Sequence, residues 1–204
     1  APHAVICFFL NLKDKENAMS KILVISAHQN LAQSVSNRLI LEELEKHFGS
    51  KASVRRLSDL YPDFNINVAA EQAALVEANV VVLQYPTFWF NTPGILKKWL
   101  DDVWTYGFAY GTGGDKLHGK KLFVSTTTGS PAEVYNGQTV PLIETLVKPV
   151  EASALYSGFV WQGVEPLYGQ LYIPGVNSEA DLARVQQKAC EHAAKLIAKI
   201  EKLL

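Results

Sequence analysis

The chain has 204 residues, 48% of them hydrophobic and 19% charged, which is enough for one domain with a full core and ordinary for a globular protein. A net charge of −1 leaves no basic footprint for nucleic acid. Cys7 and Cys190 stand too far apart for a metal-ligand spacing and read as free thiols in a reducing cytoplasm.

Residues 1–18 contain a brief apolar run, Ala4–Leu10, too short to span a bilayer. No Lys or Arg precedes it, so it makes a poor signal peptide. Met19 directly precedes the first convincing strand and looks like a natural start. Residues 1–18 are therefore set apart as an extension: either an artefact of start-site choice or a segment lying on the surface or across a partner. Residues 19–204 read as a single domain without repeats or linkers.

Lys21–Ala27 is a continuous apolar run, as in a strand buried on both faces. His28-Gln29-Asn30 ends it, and Ser34-Val35-Ser36-Asn37 opens a helix with Val35, Leu39, Leu44 and Phe48 on one face. The junction lacks a Gly-x-Gly-x-x-Gly fingerprint. It offers hydroxyls, an amide, an imidazole and a helix N-terminus, a set that suits a phosphate. The simpler alternative is a serine cap beside a loop histidine.

Ser53–Leu57 reads as the second strand, Asp59–Asn67 as a polar loop and Ala69–Glu77 as a helix. Val80–Leu83 is the third strand, stopping at Gln84-Tyr85-Pro86 because proline has no N–H for the ladder. Phe88, Trp89 and Phe90 fall in the following loop. Thr92 is the expected N-cap and Pro93 the first helical residue. Ile95, Leu96, Trp99, Leu100, Val103 and Trp104 then make one apolar stripe. The three aromatics either plug the strand's end or wall a ligand slot. Tyr106, Phe108 and Tyr110 alternate in the next loop.

Lys121–Ser125 is the fourth strand, running into the small residues Thr126-Thr127-Thr128-Gly129-Ser130. These suit either a turn or the close approach of backbone to a planar ligand. Pro141–Tyr156 reads as a helix interrupted around Pro149. Gly158–Gly163 and Leu167–Tyr172 are strand-like. Ser178 caps a last helix with Leu182, Val185, Ala189, Ala193, Leu196, Ile200 and Leu203 on one face. This alternation predicts an α/β fold, a doubly wound parallel sheet with helices on both faces.

Pro86-Thr87-Phe88-Trp89-Phe90, the Pro93–Trp99 helix start and Phe108-Ala109-Tyr110 resemble the flavin-binding signature of the flavodoxin-like NAD(P)H:quinone oxidoreductases. Leu60–Ile66 resembles the small bacterial branch that includes the ancillary flavoproteins of glutathione-gated potassium efflux systems. The likeness runs from about Lys21 to the C-terminus. It implies a flavodoxin-like sheet of five parallel strands in the order 2-1-3-4-5, with the flavin at the switch point between the first and third strands. It implies that His28, Ser34, Ser36 and Asn37 hold the flavin phosphate. Pro86, Thr87, Phe88, Trp89, Phe90, Thr127, Thr128, Gly129 and Ser130 would then flank the ring, with Ser130 standing where the family has glycine.

Trp89, Phe90 and Tyr110 would wall the substrate slot, Tyr110 by reaching across a homodimer with shared sites. Tyr135 matches a family tyrosine beside the flavin, but Asn136–Pro141 lacks the histidine that completes a relay with it, so that pair cannot form here. The resemblance implies FMN, with FAD possible, NAD(P)H as donor, a quinone or related electrophile as acceptor, and no metal. It leaves open a regulatory role on a membrane transporter, at the inner face of the cell membrane, and a one-electron carrier.

Overall fold

The computed structural model describes residues 21–204; the extension, Met19 and Cys7 lie outside them. Five strands form one sheet: β1 (Lys21–Ser26), β2 (Ala52–Arg56), β3 (Ala78–Pro86), β4 (Lys121–Thr127) and β5 (Val160–Leu167). Every neighbouring pair is parallel and the order is β2-β1-β3-β4-β5, as the resemblance implied.

Successive strand residues point to opposite faces, so each apolar run feeds two cores. Leu23, Ile25, Val81, Leu83, Leu122 and Val124 join one. That core is completed by helices α2 (Leu57–Leu60), α3 (Val68–Glu77), α4 (Gly94–Val103), α5 (Ile143–Leu146) and α6 (Lys148–Tyr156). Ile22, Val24, Val80, Val82 and Phe123 join the other, under α1 (Val35–Phe48) and α7 (Glu179–Leu203). Ser178 caps α7 in a reciprocal capping box with Asp181.

Several boundaries differ from those expected. β3 continues through Pro86 because Gln84, Tyr85 and Pro86 pair with Ser125, Thr126 and Thr127, which also lengthens β4. Pro86 needs no ladder donor, since the Thr87 N–H supplies the next bond to the Thr127 carbonyl at 2.8 Å. Helix α4 begins at Gly94 with Pro93 in the cap position, so Thr92 lies one residue too early to cap it. The buried face of α1 is Ser36, Asn37, Ile40, Leu41, Leu44 and Phe48, with Val35 and Leu39 only half-buried. The fifth strand is one element, and the segment after Leu167 leaves the sheet. Gly169, at φ +70°, donates its N–H to Ser130 and folds that segment over the sheet's edge.

Helix α3 clamps α4. Glu71, 0% exposed, accepts from Trp99 Nε1 at 2.9 Å, the Tyr61 hydroxyl at 2.6 Å and Arg55 Nε at 2.9 Å. Its neighbour Gln72 donates to the Val103 carbonyl at 2.9 Å, satisfying the C-terminal end of α4. Among the described residues no helix is long and apolar enough to cross a membrane.

Candidate functional site

The carboxyl ends of β1, β3 and β4 open into a cavity of about 390 Å³. It is lined by His28 and the Ser34–Asn37 segment after β1, by Pro86, Thr87 and Phe88 after β3, and by Thr127, Thr128 and Gly129 at the end of β4. The three loops expected to hold a ligand thus meet at one rim.

At the β1 end, Ser34 is the N-cap of α1, and its hydroxyl oxygen accepts the Asn37 N–H at 3.2 Å. The remaining N–H groups of the first helical turn have no partner inside the helix and face its open end. His28 Nδ1 accepts the Asn30 N–H at 3.0 Å, and burial lowers the imidazole's pKa below its ordinary 6.5. The neutral ring therefore carries its proton on Nε2, where it serves as a donor. An anion would fit this corner, where N–H and O–H groups and the positive end of a helix dipole could hold it.

At the β3 end, Phe88 and Asn91 exchange two backbone hydrogen bonds, at 3.1 and 3.0 Å, around Trp89 and Phe90. Both central residues have positive φ, 47° and 62°. Such two-residue turns normally carry glycine or asparagine, and a bulky side chain there is strained. Packing does not compensate at Trp89, which is 93% exposed. Phe90 is half as exposed and meets the Tyr135 ring edge-on at 6.4 Å. Strain at a solvent-facing indole points to a part that works on something outside the fold.

On the α1/α7 side, the apolar strand faces turn polar as they reach the cavity: Ser26, Gln84, Ser125 and Thr127 are all buried. Gln84 Nε2 donates to Asn37 Oδ1 at 2.8 Å, and Asn37 Nδ2 donates to Thr127 Oγ1 at 3.0 Å and to Ser34 Oγ at 3.2 Å. Ser125 Oγ lies 2.8 Å from Nε2 of His192, which α7 presents inward and burial holds at a pKa of about 4. The Thr87 hydroxyl bonds that of Thr126 at 2.8 Å, tying the loop after β3 to the end of β4. The cavity floor is therefore a hydrogen-bonded polar lattice in which the buried Gln84 Oε1 is left without a partner among the described residues.

Not every expected residue lines this cavity. Trp89 and Phe90 follow the lining residue Phe88 in sequence but are not part of the lining, and neither is Ser130, whose carbonyl is spent on the Thr128 hydroxyl and the Gly169 N–H. Tyr135 is buried behind Phe90, packed on Tyr168 with ring centroids 5.6 Å apart. Tyr110 lies in a separate, larger hollow of about 660 Å³ between α4 and α6, beside Tyr156 and the buried, unpartnered Trp104 Nε1. Conversely, Gln170, Leu171 and Tyr172 line the cavity without having been singled out. Their only sequence signal was polar Gln170 inside a strand-like stretch.

A family model described as flavodoxin-like fold matches residues 20–193. The chain belongs to this family. It is 43% identical over 140 residues, 69% of this chain and 78% of the relative, to the glutathione-regulated potassium-efflux system ancillary protein KefF of Salmonella newport. Among solved structures it is similar to general stress protein 14 of Treponema denticola in complex with FMN, with 32% identity and a TM-score of 0.77 over 87% of this chain and 98% of that one. It is also similar to an NADPH-quinone reductase from P. pentosaceus, with 27% identity and a TM-score of 0.66 over 83% of this chain and 97% of that one. In a flavodoxin-like sheet, the ends of β1 and β3 flank the switch point of the strand order, where this cavity lies.

Proposed function

We propose that this protein is an FMN-dependent oxidoreductase that takes electrons from NAD(P)H and reduces quinones or related electrophiles. The carrying observation is the meeting of a helix start, the first residue of a strained aromatic turn and a threonine-lined loop in one cavity. The Treponema relative seen with FMN supports the cofactor, and the quinone reductase relative supports the acceptor. When bound, FMN supplies hydride acceptance from the nicotinamide and two-electron release to the quinone in the same slot, which makes the kinetics ping-pong.

The chain's own residues do the rest. Ser34, His28 and the first-turn N–H groups of α1 bind the phosphate. Thr87 and Thr127–Gly129 set the ring's edge, and the backbone N–H groups of Phe90 and Gly129 offset the negative charge that develops on it. Trp89 and Phe90 stack the incoming flat substrate and keep water from it. Tyr135 donates one hydrogen bond from behind Phe90. Exposed Tyr106, Tyr110 and Tyr156 form an aromatic surface for a second copy, whose Tyr110 would complete the slot.

The test is oxidation of NADH and NADPH by the FMN-loaded protein across a quinone panel. Turnover with parallel double-reciprocal lines is expected; no quinone-dependent oxidation with either donor overturns the proposal. Trp89→Gly separates stability from function. It relieves the positive-φ strain and is expected to raise stability by about 1 kcal/mol in urea denaturation while raising the quinone KM severalfold. Unchanged stability and unchanged KM would remove the turn from the account.

Identity to KefF favours a second reading, a redox-responsive subunit of a potassium-efflux transporter at the cytoplasmic membrane face. Co-purification with such a transporter, and flux that depends on this protein, are expected under that reading. Loss of both with activity intact leaves the enzyme alone.

A further inference from the structure

The wall that sequence reading did not supply is the segment after β5, and its key contact is Gln170. Gln170 Nε2 donates to the Tyr168 carbonyl at 2.9 Å, which fixes the amide's orientation because a carbonyl only accepts. Oε1 is thereby turned to Ser36, whose hydroxyl donates to it at 2.7 Å across 134 residues of sequence. Ser36 has one proton, and it is spent. Ser34 differs. Its oxygen accepts both the Asn37 N–H and Asn37 Nδ2, each at 3.2 Å, so its own proton is left for a group in the cavity. Asn37 is spent too, on Ser34, Thr127 and Gln84. The Gln170 N–H donates to the Thr128 carbonyl at 2.8 Å, stitching the segment to the β4 loop as well.

We infer that Gln170 is a positioning residue for the phosphate of the bound ligand: it ties Ser36 back and pins residues 168–172 as the cavity's outer wall. The phosphate then falls to Ser34, His28 and the helix N–H groups. This rests on the flavin reading above and adds a division of labour among residues that looked equivalent in sequence.

The test compares FMN with riboflavin, which lacks only the phosphate, by fluorescence titration of the full chain. Ser34→Ala removes a hydroxyl donor to an anion and is expected to weaken FMN by about tenfold or more, leaving riboflavin nearly unchanged. Gln170→Ala and Ser36→Ala are each expected to weaken FMN by a few-fold, selectively. The double variant should be no weaker than Gln170→Ala alone, because Ser36→Ala removes a contact that Gln170→Ala has already removed. Gln170→Glu keeps the side chain's size and an acceptor for Ser36 but puts a negative charge beside the phosphate, so it too should weaken FMN alone. Equal losses for FMN and riboflavin, additivity of the pair, or a Ser36→Ala loss exceeding that of Ser34→Ala would overturn the inference. Wild-type protein binding neither flavin would overturn the flavin reading itself, a distinct outcome.

Discussion

Replacing Glu71 with alanine is expected to cost about 3 kcal/mol of folding stability, among the largest effects of any single polar substitution here. The carboxylate is fully buried and is the acceptor for donors on three other segments, Arg55, Tyr61 and Trp99. Without it the Trp99 indole N–H and the Tyr61 hydroxyl are stranded in the core, each costing roughly 1–3 kcal/mol. The Arg55 side chain is 23% exposed, so its guanidinium turns to water and keeps the loss below that of a wholly buried ion pair. Glu71→Gln retains one acceptor oxygen and is expected to lose less. Urea denaturation of the two variants checks the order; a loss below about 1 kcal/mol for Glu71→Ala would mean the network carries little energy. Because Trp99 sits on α4, whose start carries the Trp89–Phe90 turn, the weakened protein is also expected to show a higher quinone KM.

Mild acid should destabilise the fold through His192. His192 is 4% exposed, and burial lowers its pKa from 6.5 to about 4; the Glu165 carboxylate opposes that shift and the Lys195 ammonium adds to it. The unfolded chain therefore binds this proton more readily than the folded one. The site costs nothing above about pH 6.5, disfavours the fold increasingly as pH falls from 6.5 to about 4, and adds nothing further below that. The integrated loss is about 3 kcal/mol. His192→Gln keeps a partner for Ser125 and removes the titration, so its denaturation midpoint should fall less between neutral pH and pH 4 than the parent's. Equal falls would show that His192 is not the group responsible.

The strands and the loops that end them were legible because they rest on short-range signals, whereas the strand order came from the family resemblance. Apolar runs of four to seven residues mark strands buried on both faces, and the residues that end them mark the loops. Long-range polar partners were not legible. Nothing beside Glu71 in the sequence distinguishes it from the exposed acids that most glutamates are. Its partners lie 16, 10 and 28 residues away, and only the packing of α3 on α4 and β2 brings them together. Gln84 ended an apolar run and read as a strand terminus, yet it is buried in the cavity floor, paired with Asn37 across 47 residues. His192 fell on the apolar face of α7 between Ala189 and Ala193, and nothing local announced Ser125. Trp89 was correctly placed in a loop, but its positive φ depends on the turn that Phe88 and Asn91 close, which composition does not reveal.

A crystal structure of the protein grown with FMN tests the placement of the flavin most directly. The expected density puts the phosphate within hydrogen-bond distance of the Ser34 hydroxyl and the His28 ring, and the flat rings between the Phe88–Asn91 turn and Thr127–Gly129. FMN seated instead in the larger hollow between α4 and α6, or no FMN in the smaller cavity at saturating concentration, would contradict it.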